Sequence, residues 1–154
     1  MTESAAPQSS RLTPEHKALS VFIGKWINEG VTIASPGTPV TKILTSDVYE
    51  WVPGEFFIIH SAYGRMGDKD VGGVEMIGFD KASGKYRTHF FDSGGNLSLG
   101  ELTVRDGTWT WKEEKTRCTG RLSNNGKTLI AHHERSDDGV NWIPSMDVTL
   151  TKVE

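Results

Sequence analysis

Phe22-Ile-Gly-Lys-Trp-Ile-Asn-Glu-Gly-Val-Thr-Ile33 holds the change of period that decides the fold. Just before and within it, Leu19, Phe22 and Ile23 fall at i, i+3 and i+4, giving one apolar helical face. Upstream, Thr13-Pro14-Glu15 is a helix start: a hydroxyl cap, a proline whose missing N–H costs nothing in the first turn, and an acid near the positive end of the dipole. Gly24 is expected to end the helix in the left-handed conformation. From Trp26 onward the chain reads as short β-rich runs.

The runs expected as strands are 26–33, 41–52, 56–63, 72–79, 85–91, 96–105, 108–114, 116–122, 128–135 and 142–152. Turn chemistry separates them: Ser35-Pro-Gly37, Pro53-Gly54, Asp80-Lys-Ala-Ser-Gly84, Ser93-Gly-Gly95, Asp106-Gly107, Asn124-Asn-Gly126 and Asp137-Asp-Gly139. Asp106-Gly107 is the strongest hairpin signal, because both central residues of a two-residue turn need positive φ. Such short links join antiparallel neighbours, since parallel pairing needs crossovers of a dozen or more residues. A meander of about ten strands removes its exposed edges by closing into a barrel. The reading is an all-β, up-and-down antiparallel β-barrel plugged at one end by a short N-terminal helix.

The chain has 154 residues, within the range of one domain, and folding at that size buries roughly 70% of the unfolded surface. Residues 12–154 are read as that domain and 1–11, small and polar, as a flexible tail. With 17 basic and 20 acidic side chains the formal charge is −3, and no window gathers enough Lys and Arg to track a phosphate backbone. Nucleic acid is therefore not an expected partner. No apolar run is long enough to span a membrane, and no leader pattern is visible, which favours the cytoplasm. The single cysteine, Cys118, allows no internal disulfide and no multi-cysteine metal site.

His16-x-x-Leu19, Phe22-x-Gly24-x-Trp26, Gly78-Phe79-Asp80 with Tyr86 beyond the turn, Phe91-Asp92-Ser93, and Glu134-x-Ser136-x-Asp138-Gly139-x-x-Trp142 carry a resemblance. In that order and spacing they resemble the lipocalin-like, or calycin, superfamily. More closely, they resemble the bacterial barrels catalogued as domain of unknown function 1579. The resemblance implies a barrel with a small internal cavity and no agreed activity. In the more distantly similar nitrobindins a last-strand histidine holds haem; here Ser145 takes the matching place and no histidine follows His133. The resemblance thus implies no haem, and no cofactor is expected.

Polar residues inside apolar runs are the candidates for chemistry. His60 ends Phe56-Phe-Ile-Ile59, His89 sits beside Phe90-Phe91, and Glu75 lies between Val74 and Met76. If Glu75 faces inward it is the carboxyl whose pKa burial would raise; the alternative puts it in solvent with Val74 and Met76 inside. Trp109 and Trp111 share one strand face and either line a cavity or fill a core. Trp26 is expected to close the barrel end. His132 and His133 must point to opposite sides; His132 and Glu134 share a face, but no spacing supplies the further ligands of a metal site. Cys118 is expected to be an inert, half-buried thiol.

A ten-stranded barrel is wide enough to leave a hollow. The leading expectation is a binding protein for one small hydrophobic or lipid-like molecule, oriented by His60, Glu75 and His89 and walled by Trp51, Trp109 and Trp111. Two alternatives stand beside it. One is a cofactor-free isomerase, cyclase or hydrolase using a His/Glu pair in the cavity. The other is a surface interaction module with a filled barrel, marked by an exposed apolar patch. The oligomeric state, a homodimer included, is left open.

Overall fold

In the computed structural model, residues 11–154 are described, so all of the expected tail except Arg11 lies outside the described residues. Helix α1 (Pro14–Ala18) runs into a 3-10 turn (Leu19–Phe22). His16 completes the cap from the third helical position, its Nδ1 accepting the Thr13 N–H at 2.9 Å. Gly24 follows the helix end with positive φ, but as the first residue of a strand and not as a helix cap. The helical turn ends at Ile23, and Gly24 opens the first strand with φ +137°. Close approach demands glycine there as well as the positive φ, since a Cβ would sit 2.5 Å from the Glu154 carbonyl oxygen.

Ten strands follow: β1 (Gly24–Thr32), β2 (Lys42–Trp51), β3 (Phe57–Met66), β4 (Lys69–Asp80), β5 (Lys85–Asp92), β6 (Leu97–Arg105), β7 (Thr108–Lys112), β8 (Thr116–Ser123), β9 (Thr128–Arg135) and β10 (Ile143–Lys152). Each pairs antiparallel with its chain neighbours, and β1 closes on β10 with Trp26 opposite Lys152 and Thr32 opposite Met146. Asp106 and Gly107 both have positive φ, as the tight β6–β7 hairpin requires. The largest departure from the sequence reading is at β3 and β4, which continue through 64–66 and 69–71 to a two-residue turn at Gly67-Asp68. Glycines at 64 and 67 read as loop, whereas Gly64 sits within the ladder, as Gly72 and Gly73 do.

The helix plugs the end of the barrel that carries the β2–β3, β4–β5, β6–β7 and β8–β9 turns. Tyr86 Oη donates to the Glu15 carbonyl at 2.7 Å, and the buried His16 ring meets Phe56 and Phe79 edge-on at 5.2 and 5.7 Å. Phe22, fully buried, reaches down onto Trp109 (4.8 Å between centroids), Trp111 (5.5 Å) and Tyr49 (5.7 Å). Burying a side chain of this size is worth roughly 1.5–3 kcal/mol. Trp26 closes the same end, donating its indole N–H to the Phe22 carbonyl at 2.9 Å beneath the Lys152 ammonium.

On the outside, β4 to β6 carry Val74, Met76, Phe91, Leu97 and Leu99, the last three well exposed. This apolar outer surface fixes the phase of β4: Val74 and Met76 face out and Glu75 faces in. The alternative that put Glu75 in solvent is overturned. No helix among the described residues is long and apolar enough to cross a membrane.

Candidate functional site

Toward the unplugged end the inward positions change from large aromatics to small or polar side chains. Ala62 and Gly73 follow His60 and Glu75 along their strands, and Gly120 and Ala131 face each other across β8 and β9. In this part of the barrel lies a cavity of about 200 Å³. Leu129, Ala131, Val148 and Leu150 form its apolar wall, and Tyr49 and Trp111, both against Phe22, lie toward the plug. It reaches solvent by the β7–β8 turn, where the exposed Thr116 borders it.

Three ionisable side chains meet on its wall. His60 is directly opposite Tyr49 on one side and Glu75 on the other in the β2–β3–β4 ladder, and Asp47 is its diagonal neighbour. The ring donates from Nε2 to Asp47 Oδ2 at 2.7 Å and from Nδ1 to Glu75 Oε1 at 3.1 Å. Asp47 spends its other oxygen on the Thr45 hydroxyl at 2.5 Å, and Tyr49 stacks on the imidazole at 3.9 Å and 9°. Asp47 and Glu75 are 5% and 7% exposed. Burial disfavours the imidazolium, but hydrogen bonds and charge from the two carboxylates outweigh it and raise the His60 pKa to about 9. His60 is therefore a cation at neutral pH, held between two buried carboxyl groups.

Across the cavity, Cys118 Sγ lies 3.5 Å from His133 Nε2, the two being opposite each other on β8 and β9. Burial, aided by the charge of Glu75, pushes the thiol up to about 12. Burial also pulls His133 down to about 4, Asp147 opposing and His132 assisting. At neutral pH this pair is thiol and neutral imidazole, so it lacks the thiolate a nucleophile needs. Glu113 and Tyr49 are also shifted upward, by burial first and then by charge that includes Glu75. Asn28 Oδ1 is buried without a hydrogen-bond partner among the described residues.

Of the residues singled out from sequence, His60, Glu75 and Trp111 come together here. Trp109 faces inward but packs under Phe22 in the plugged end, and Trp51 packs against the core; neither lines the cavity. His89 is exposed on the outer surface, bordering a shallow groove with Leu99 and Glu101, because Thr88 and Phe90 take the inward positions of β5. His132 and Glu134 do share the outer face but go to separate partners, Asp147 at 2.6 Å and Arg117 at 3.0 and 3.1 Å. No group of three His, Cys, Asp or Glu side chains among the described residues is placed to hold an ion.

Sequence reasoning missed Asp47, Asn28 and His133 as cavity groups. Nothing in β2 marks Asp47, because outward Leu44 and Val48 are as apolar as inward Ile43 and Tyr49. For His133 the signal was Leu129-x-Ala131-x-His133, one inward phase running into the second histidine of the pair.

The whole fold has counterparts among solved structures. Similar ones include the Rv2717c protein of M. tuberculosis, at a TM-score of 0.69 and 14% identity over 94% of this chain and 100% of that one. The S-type phycobiliprotein lyase CPES from Guillardia theta matches at 0.65 and 10% identity, over 94% of this chain and 95% of its own. The zebrafish ileal bile acid-binding protein, solved with cholic acid, matches at 0.58 and 16% identity, over 87% and 100% of the two chains. Identities this low establish likeness of fold. No curated protein matches the sequence. The family model described as "Protein of unknown function (DUF1579)" covers residues 11–150, and the chain belongs to that family.

Proposed function

We propose that the protein binds one compact, largely apolar small molecule inside the barrel. The observation that carries this is the cavity itself: a lined hollow of about 200 Å³ under a plugged end, with buried ionised groups on an otherwise apolar wall. Such a wall is the usual composition of a ligand site, where apolar area supplies affinity and a few polar groups fix orientation. The likeness to a barrel solved with cholic acid supports the same reading. The volume restricts it: an engineered apolar cavity of roughly 150 Å³ takes benzene, so this one suits a molecule of about eight non-hydrogen atoms. A longer, lipid-like body would have to project past Thr116. Native mass spectrometry of the protein from its own host tests the proposal. A stoichiometric adduct of small mass, lost on denaturation, supports it; a bare chain that also takes up no added aromatic probe refutes it.

The contact between His60 and Glu75 favours a second reading, acid–base catalysis on a bound metabolite. Both ring nitrogens already donate to carboxylates, so the histidine has no free site for a proton, and Glu75 would have to act as the base. A turnover reaction abolished by Glu75→Gln with binding retained would establish it.

A further inference from the structure

Resting on the binding reading, the charges of the cavity say what kind of molecule it takes. Asp47 and Glu75 face a single imidazolium, so in this cluster the carboxyl groups outnumber the cation two to one. Three of the four carboxylate oxygens are engaged: Asp47 Oδ1 with Thr45, Asp47 Oδ2 with His60, and Glu75 Oε1 with His60. Glu75 Oε2 has no hydrogen-bond partner among the described residues, and Asn28 Oδ1 is a second acceptor without one.

The cations are spent. His60 gives both N–H groups to carboxylates, and Arg117, at the rim, is held by both oxygens of Glu134 through Nε and Nη2. No other lysine, arginine or charged histidine lines the cavity among the described residues. A carboxylate or phosphate entering it would find carboxyl groups and no partner, a desolvation cost that nothing offsets. A hard metal ion is also a poor match, because calcium takes six to eight oxygen ligands and the His60 cluster leaves only Glu75 Oε2 uncommitted, with Asn28 Oδ1 and the rim carboxyl of Glu113 as the further oxygens.

What remains is an organic cation. Phe90 is directly opposite Glu75 on the neighbouring strand, and Trp111 and Tyr49 are the other rings on the wall. Aromatic rings beside a carboxylate attract an ammonium group by the ring quadrupole as well as by charge. Leu129, Ala131 and Val148 give the rest of the molecule an apolar bed. We propose that the cavity selects small primary amines in their protonated form, with the ammonium group on Glu75 Oε2 and a ring-sized apolar body against β9 and β10. Tyr49 on β2, Glu113 in the β7–β8 turn and Cys118 on β8 are shifted upward by burial first, and the charge of Glu75 adds to each shift.

Three probes of one shape and different charge test this: benzylamine, benzyl alcohol and benzoate, titrated calorimetrically into the full chain at pH 7. Benzylamine is expected to bind at least tenfold more tightly than benzyl alcohol, and benzoate more weakly than either. In Glu75→Gln the preference for benzylamine should fall to within about threefold of the alcohol. Benzoate binding as tightly as benzylamine, or a preference that survives Glu75→Gln, overturns the proposal while leaving the binding reading intact. Failure of all three to bind overturns the binding reading and this one with it. The comparison of probes on the unaltered chain decides even if the variant does not fold.

Discussion

His60 and Glu75 stand directly opposite each other on β3 and β4, joined inside the barrel from Nδ1 to Oε1 at 3.1 Å. With Asp47 on the other ring nitrogen, the imidazolium holds two buried carboxylates together. Removing one partner of a buried ion pair costs more than the pair contributes, because the remaining charge is left uncompensated. His60→Ala should therefore destabilise by about 3–5 kcal/mol at pH 7, read as a drop in urea midpoint at unchanged m-value. A change under 1 kcal/mol would mean that the three groups do not form this cluster.

Stability should peak near pH 6.5, with each flank set by a different histidine. His60 has a folded pKa of about 9 against 6.5 when unfolded, so its contribution is complete below pH 6.5 and is lost as pH rises through 9. The limit on that loss is about 3 kcal/mol. His133 is held at about 4, so below pH 6.5 the unfolded chain takes up a proton the folded one refuses, and stability falls toward pH 4. Urea unfolding across pH 4–9 checks both flanks. His133→Asn should flatten the segment between pH 6.5 and 4 and leave the alkaline one in place.

Cys118 should be slow to alkylate in the native protein. With its pKa at about 12, the thiolate fraction at pH 8 is on the order of one in ten thousand. Reaction with iodoacetamide should accelerate by at least a hundredfold in denaturant. Equal rates in native and denatured protein would place the sulfur outside the cavity.

The plug can be loosened without touching the cavity. Tyr86→Phe deletes the hydroxyl that donates to the Glu15 carbonyl and should cost about 1 kcal/mol. Hydrogen exchange should rise in α1 and leave β8 and β9 protected, whereas unchanged exchange in α1 would show that the helix docks by packing alone.

Fold and site differed in how far the sequence revealed them. The meander was legible because turn chemistry is local: Asp106-Gly107 and Asp80-Lys-Ala-Ser-Gly84 mark their hairpins without reference to the rest of the chain. Inward and outward are not local. β4 reads Val74-Glu75-Met76, and only the apolar outer surface shared with Phe91, Leu97 and Leu99 explains why the glutamate is the inward residue. The same reversal put His89 outside and left Asp47 unmarked. The grouping of Asp47, His60 and Glu75 depends on the register of three strands, which no single stretch encodes.

The most direct test of an occupied interior is methyl NMR of the protein titrated with benzyl alcohol, whose ring shifts nearby methyl resonances. The account predicts saturable shifts confined to Leu129, Ala131, Val148 and Leu150 and abolished in Ala131→Leu, which fills the cavity, with outward-facing Leu99 and Ile130 unmoved. Shifts at Leu97 and Leu99 with the interior methyls silent would place recognition on the outer surface of the barrel and contradict it.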